Sequence, residues 1–154
     1  MTDVVKAKKV NSRAKGVAFE LKVAKLFAAA LGIKLRRTPL SGGWSHGNPE
    51  TAGDLVCVED GVDFPFCVEC KCEENWRLES LFTDNHNWFD KYWAQLDSET
   101  TAGHVSILVF TRNRAQIFVA FRAADFDELP VIRKLCVEEY TITLLSDFLA
   151  AVTV

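Results

Sequence analysis

No apolar run in this chain approaches the roughly 20 residues that span a bilayer, so a membrane-embedded role is not expected. A hydrophobic signal segment is missing as well: Met1-Thr2-Asp3-Val4-Val5-Lys6 is polar, which points to the cytoplasm. Internal repeats and low-complexity tracts are absent. Ser41-Gly42-Gly43 lacks the Gly-Lys-Ser/Thr ending of a phosphate-cradling loop. Histidine is scarce, and His86 and His104 have no convergent partners in the sequence. The five cysteines are an odd number in a chain too large to need disulfide staples, so free thiols in a reducing compartment are expected.

What is present describes a packed domain. The 154 residues are 49% hydrophobic, with 11 phenylalanines and 4 tryptophans, enough to bury a sizeable core. The formal net charge of −3 conceals an asymmetry. Residues 1–40 carry ten lysines and arginines against two acids, leaving eight basic against nineteen acidic residues in the rest. A basic arm over 1–11 followed by one domain over 12–154 suggests that a polyanion meets one face. Lys6, Lys8, Lys9 and Arg13 suit phosphate contacts of the salt-sensitive, sequence-independent kind.

The spacing predicts a helix from Ser12 to Leu31, capped by Asn11 or Ser12 and stopped by Gly32. Val17, Leu21, Ala24, Ala28 and Leu31 form its expected buried stripe, with Glu20 at the margin. A short strand over 33–38 ends at Pro39. A glycine-rich polar loop then carries Trp44 and His46, the former suited to stacking on an opened base and the latter more ordinary. Asp54 to Glu59 reads as a strand joined by an Asp60-Gly61 hairpin to a return strand over 62–72. A helix between Leu78 and Asp97, broken near residues 84–87, follows. Next come a hairpin around Arg112-Asn113-Arg114, a strand over 137–142 and a helix over 144–151. This order describes an α/β domain around a mixed sheet.

Phe66 to Glu74 reads FCVECKCEE, and its cysteines imitate a zinc knuckle. In a strand, however, Phe66, Val68, Cys70 and Cys72 share one side while Cys67, Glu69 and Lys71 share the other. Cys67 and Cys70 then point apart, and zinc is not expected. The same alternation pairs Glu69 with Lys71, and an Asp60-Gly61 hairpin sets Asp54 opposite Cys67, on their side of the sheet. Two carboxylates and a lysine suit a hard divalent cation, and the Cys70 backbone carbonyl between them is a further oxygen donor. Lys71 then holds or helps deprotonate an attacking water and stabilises transition-state charge.

Gly53-Asp54 followed by Glu69-Cys70-Lys71 resembles the PD-(D/E)xK nuclease motif, with glycine in place of the usual proline. Lys15-Gly16-Val17-Ala18-Phe19-Glu20 is similar to the Arg-Gly-x-x-x-Glu helix start of archaeal-type Holliday junction resolvases, with lysine in place of arginine. Arg36-Arg37-Thr38-Pro39-Leu40-Ser41-Gly42-Gly43 looks like their basic strand and Pro-x-Ser-Gly loop. The resemblance covers residues 13–72 and implies a restriction-endonuclease-like core, a central mixed sheet flanked by helices. It also implies that Glu20, Asp54 and Glu69 are metal-site acids and Lys71 the catalytic lysine. Gln95 would stand beside that lysine, and Lys15, Arg36, Arg37 and Ser41 would contact DNA. The expected activity is Mg²⁺-dependent resolution of four-way junctions by a homodimer, with Mn²⁺ as substitute and a phage-encoded source compatible. Alternatives are a nuclease of other DNA substrates, or a non-catalytic nucleic-acid-binding module of the same fold.

Overall fold

The structure is a computed structural model and describes residues 11–39 and 53–153. Asn11 starts α1 (Ser12–Leu31): its side-chain oxygen accepts from the backbone N–H groups of Arg13 (3.2 Å) and Ala14 (3.4 Å), donors that the first helical turn leaves open. Gly32 ends the helix, as its spacing predicts. The buried face differs from the expected stripe. Phe19, Val23, Ala24 and Phe27 turn inward, whereas Leu21 is 44% exposed. Both sets recur at helical spacing, and the two phenylalanines decide the rotation because they remove the larger apolar area from water.

β1 (Leu35–Arg37) pairs antiparallel with β2 (Leu55–Cys57), placing Arg36 opposite Val56. A five-stranded mixed sheet contains β3 (Phe66–Cys72), β4 (Val105–Thr111), β5 (Phe118–Arg122), β6 (Leu135–Val137) and β7 (Tyr140–Leu144). Its order is β3-β4-β5-β7-β6, with β3 parallel to β4 and the remaining pairs antiparallel. Alternation along the strands builds two cores. Val68, Cys70, Ile107, Val109, Val119 and Phe121 face α1 and α3 (Leu145–Val152). Cys67, Leu108, Phe110 and Ala120 meet Phe89, Trp93 and Leu96 of α2 (Asn87–Glu99), which follows a 3-10 helix at Leu78–Phe82. The architecture is α/β, a mixed sheet flanked by helices. Among the described residues, no helix is long and apolar enough to cross a membrane.

Two expected connections differ. The Asp60-Gly61 hairpin does not join β2 to β3: β2 takes β1 as its ladder partner, and residues 58–65 run as an irregular loop into β3. Pro65 closes that loop with no N–H to offer a ladder, and its carbonyl accepts from Val105 N–H (2.8 Å) instead. The segment read as one strand over 137–142 is a hairpin, β6 to β7, turning at Glu138 and Glu139. Glu138 adopts φ 51°, so the turn carries none of the glycine that would mark it in sequence.

Arg122 clamps α2 to the sheet. Its guanidinium makes paired hydrogen bonds to Asp97 (3.0 and 2.6 Å) and lies over the rings of Trp93 (4.9 Å) and Tyr140 (5.7 Å). Lysine can reproduce neither the fork nor the stacking. Arg122→Lys is therefore expected to lower stability by roughly 1 kcal/mol, about 3 °C in a thermal melt. An unchanged melting temperature would show the clamp to be energetically neutral.

Candidate active site

β3 forms one edge of the five-stranded sheet, and Asp54, just before β2, closes against its free side. Asp54 N–H donates to the Val68 carbonyl (2.7 Å), and Cys70 N–H donates to Asp54 Oδ2 (2.7 Å). The N–H and C=O of one strand residue point to the same side, so the Cys70 carbonyl also opens toward Asp54. The aspartate thus reaches β3 as the sequence suggests, by a different route: a loop crossing the strand edge rather than a hairpin ladder. Gly53 makes the crossing possible. It lies at φ 78°, and a Cβ there would sit 2.8 Å from the Val68 carbonyl oxygen. Proline, whose φ is held near −65°, cannot occupy that conformation, which accounts for glycine before the aspartate.

On β3, Glu69 and Lys71 share the α2 side. Lys71 Nζ lies 3.1 Å from Glu69 Oε1 and donates to Gln95 Oε1 on α2 at 2.8 Å. The Tyr92 ring lies 5.5 Å beneath it. Asp54 and Glu69 are 4% and 3% exposed, and Glu69 Oε2 is buried with no hydrogen-bond partner among the described residues. Burial is the main cause raising both carboxyl pKa values. For Asp54 the charges of Glu20 and Glu99 add to it, against the Cys70 N–H. For Glu69 the Asp54 carboxylate adds to it, against Lys71. Two buried acids that resist ionisation, one with an oxygen lacking a partner, fit a site for a cation that would supply the missing charge.

Glu20 stands close enough for its charge to act on Asp54 and is paired with an arginine. Its Oε2 lies 2.9 Å from Arg37 Nε, joining α1 to β1. Among the described residues no group of three His, Cys, Asp or Glu side chains is arranged to hold a metal ion. Glu99 is the residue sequence reasoning missed. It ends α2 and its Oε1 accepts from Gln95 Nε2 at 3.4 Å, so the Gln95 amide has its oxygen toward Lys71 and its nitrogen toward Glu99. The helix runs two residues past its expected end, and the four-residue spacing of Gln95 and Glu99 was the available signal.

Other expected contacts are dispersed. Lys15 Nζ pairs with Glu74 (2.6 Å), and Arg13 is exposed at the start of α1. Arg36 faces away from Arg37 along β1, into a groove shared with Glu59, Asp60 and Asp63 that is lined by neither Asp54 nor Glu69. Lys6, Lys8, Lys9, Ser41, Trp44 and His46 lie outside the described residues. Cys67 and Cys70 enter opposite cores, and burial pushes the Cys67 thiol up to about 11.

A mixed sheet wrapped by helices, with an aspartate closing the edge of a strand that bears Glu-x-Lys, is the restriction-endonuclease-like core of PD-(D/E)xK nucleases. Residues 11–148 match the family model described as "Phage putative PDDEXK endonuclease", and the chain belongs to that family. Comparisons with curated proteins and with solved structures gave no match.

Proposed function

We propose that this nuclease is a metal-dependent, structure-specific endodeoxyribonuclease that resolves four-way DNA junctions by paired phosphodiester hydrolysis. The observation that carries the hydrolytic reading is Glu69, buried between Lys71 on one oxygen and nothing on the other. Asp54, Glu69 and the Cys70 carbonyl would hold Mg²⁺, or Mn²⁺ in its place, all three being hard oxygen donors. A cation bound there supplies positive charge against the charge that develops on the phosphoryl oxygens. Lys71, steadied by Glu69 and Gln95, orients the attacking water and faces the same charge. Glu20 holds Arg37 through Nε, which turns the guanidinium into a fixed group for a substrate phosphate.

The preference for junctions rests on the likeness of residues 15–20 and 36–43 to archaeal-type resolvases. Two symmetric cuts need two sites, hence a homodimer. A nuclease of other DNA, restriction-like, repair or exonucleolytic, uses the same acids and lysine. The acidic excess beyond residue 40 favours this second reading, because it opposes wrapping by several duplex arms. Incubation with Mg²⁺ and either a labelled four-way junction or a linear duplex of the same arms separates them. Symmetric paired nicks on the junction alone are expected. Equal cleavage of both substrates would establish the second reading, and junction binding with no Mg²⁺-dependent cutting by wild-type protein would defeat both.

A further inference from the structure

We infer that the turn between β4 and β5, Arg112-Asn113-Arg114, contacts the phosphodiester backbone of the duplex flanking the cut site. The inference rests on the reading of this protein as a DNA nuclease and adds a binding surface to it. The sheet register places the turn: Lys71 lies beside Phe110 and Cys72 beside Thr111, so the chain leaves the sheet at the end where Lys71 stands. Glu73 N–H donates to the Thr111 carbonyl (3.2 Å), continuing that register by one step.

The turn is tied to the basic start of α1. Glu74 Oε1 accepts from Asn113 N–H (2.9 Å) and from Lys15 Nζ (2.6 Å), so one carboxylate joins the two segments. Lys15 and the Arg112–Arg114 turn, far apart in sequence, thereby come to one surface. Of the two nearby acids, Glu74 is offset by Lys15 in this bridge, while Glu73 accepts from the neutral Tyr92 hydroxyl and keeps its charge, so Arg112 and Arg114 are what make the turn cationic. Arg112 is held over the Trp76 ring (4.9 Å) with Nη1 donating to the Trp76 carbonyl (3.3 Å). A cationic surface anchored before DNA arrives loses little side-chain freedom on binding.

Arg114 is the turn's freely exposed cation. It adopts φ 59°, a conformation that favours glycine or asparagine.

The test uses full-length protein and fluorescence anisotropy of a labelled duplex and a labelled four-way junction, in EDTA so that nothing is cut, across a range of salt. Arg114→Gly is expected to weaken binding about fivefold and lower the salt slope by about 1. Its melting temperature should equal or exceed that of wild type, which separates lost contact from lost folding. Arg114→Glu should bind more weakly still. Lys134→Ala, an exposed cation next to β6 at the opposite edge of the sheet, should bind like wild type. Wild-type binding matched in affinity and slope by both Arg114 variants overturns this inference alone. A wild-type protein that neither binds nor cuts DNA overturns the DNA-nuclease reading and this surface with it.

Discussion

Replacing Asp54 by asparagine is expected to abolish cleavage and, at about pH 8 without divalent cation, to stabilise the protein by on the order of 2 kcal/mol. Asparagine keeps an oxygen to accept from Cys70 N–H and removes the buried charge. Burial pushes Asp54 from 3.8 up to about 7, and Glu69 from 4.5 up to about 8. With pKa values raised on folding, the folded state binds these protons more tightly than the unfolded chain. The associated stability is complete below the ordinary carboxylate range and is lost as pH rises through about 7 and 8. Thermal melts of wild type should therefore fall between about pH 5 and 8.5, while Asp54→Asn gives a flatter curve. A flat wild-type profile over that interval would remove the argument that the site stores carboxylate repulsion. Mg²⁺ provides a second reading of the same residue. It should raise the melting temperature of wild type by mass action and leave that of Asp54→Asn unmoved. An equal rise in both would mean that Asp54 does not hold the ion.

Gly53→Ala is expected to be the more damaging change to the fold, at about 3 kcal/mol or on the order of 10 °C. Position 53 combines two demands: a φ of 78° and a Cβ site 2.8 Å from backbone oxygen and 3.0 Å from backbone nitrogen of Val68. Neither neighbour is the end of a flexible side chain, so β3 or the segment before Asp54 must shift. Asp54 N–H would then lose its 2.7 Å bond to the same Val68 carbonyl. Gly61 is the internal comparison. It has a similar φ of 74° and nothing within 4 Å of a Cβ, so Gly61→Ala should cost only the conformational part, about 1 kcal/mol. Equal melting temperatures for the two variants would show that close approach to β3 is not what position 53 provides. Since displacement of the loop moves Asp54, the alanine variant should also lose the Mg²⁺-induced rise in melting temperature.

Much of the site was legible locally. Alternation along Phe66–Cys72 places Glu69 with Lys71 and turns Cys67 away from Cys70, and both arrangements occur. Asp54 reaches the same strand edge although the hairpin meant to bring it there does not form. The error came from turn chemistry: Asp60-Gly61 is a strong local signal, yet β2 is satisfied by β1, thirty-odd residues from the partner the signal nominated in the other direction. The stripe of α1 was misjudged because several sets of apolar residues recur at helical spacing, and only the cavity they enter distinguishes them.

By itself the sequence determined the elements whose causes are local: the capped first helix, the strand that carries Glu-x-Lys, the hairpin around Arg112-Asn113-Arg114 and the uneven distribution of charge. Only the tertiary structure decided that Glu20 turns to Arg37, that Glu99 backs Gln95, and that Glu74 gathers Lys15 and Asn113 onto one surface. Only it could show that Asp54 and Glu69 are buried deeply enough to resist ionisation. Helix caps and strand alternation follow from covalent geometry within a few residues. Desolvation and long-range ion pairs depend on what the rest of the chain brings within a few ångströms, and no local pattern encodes that.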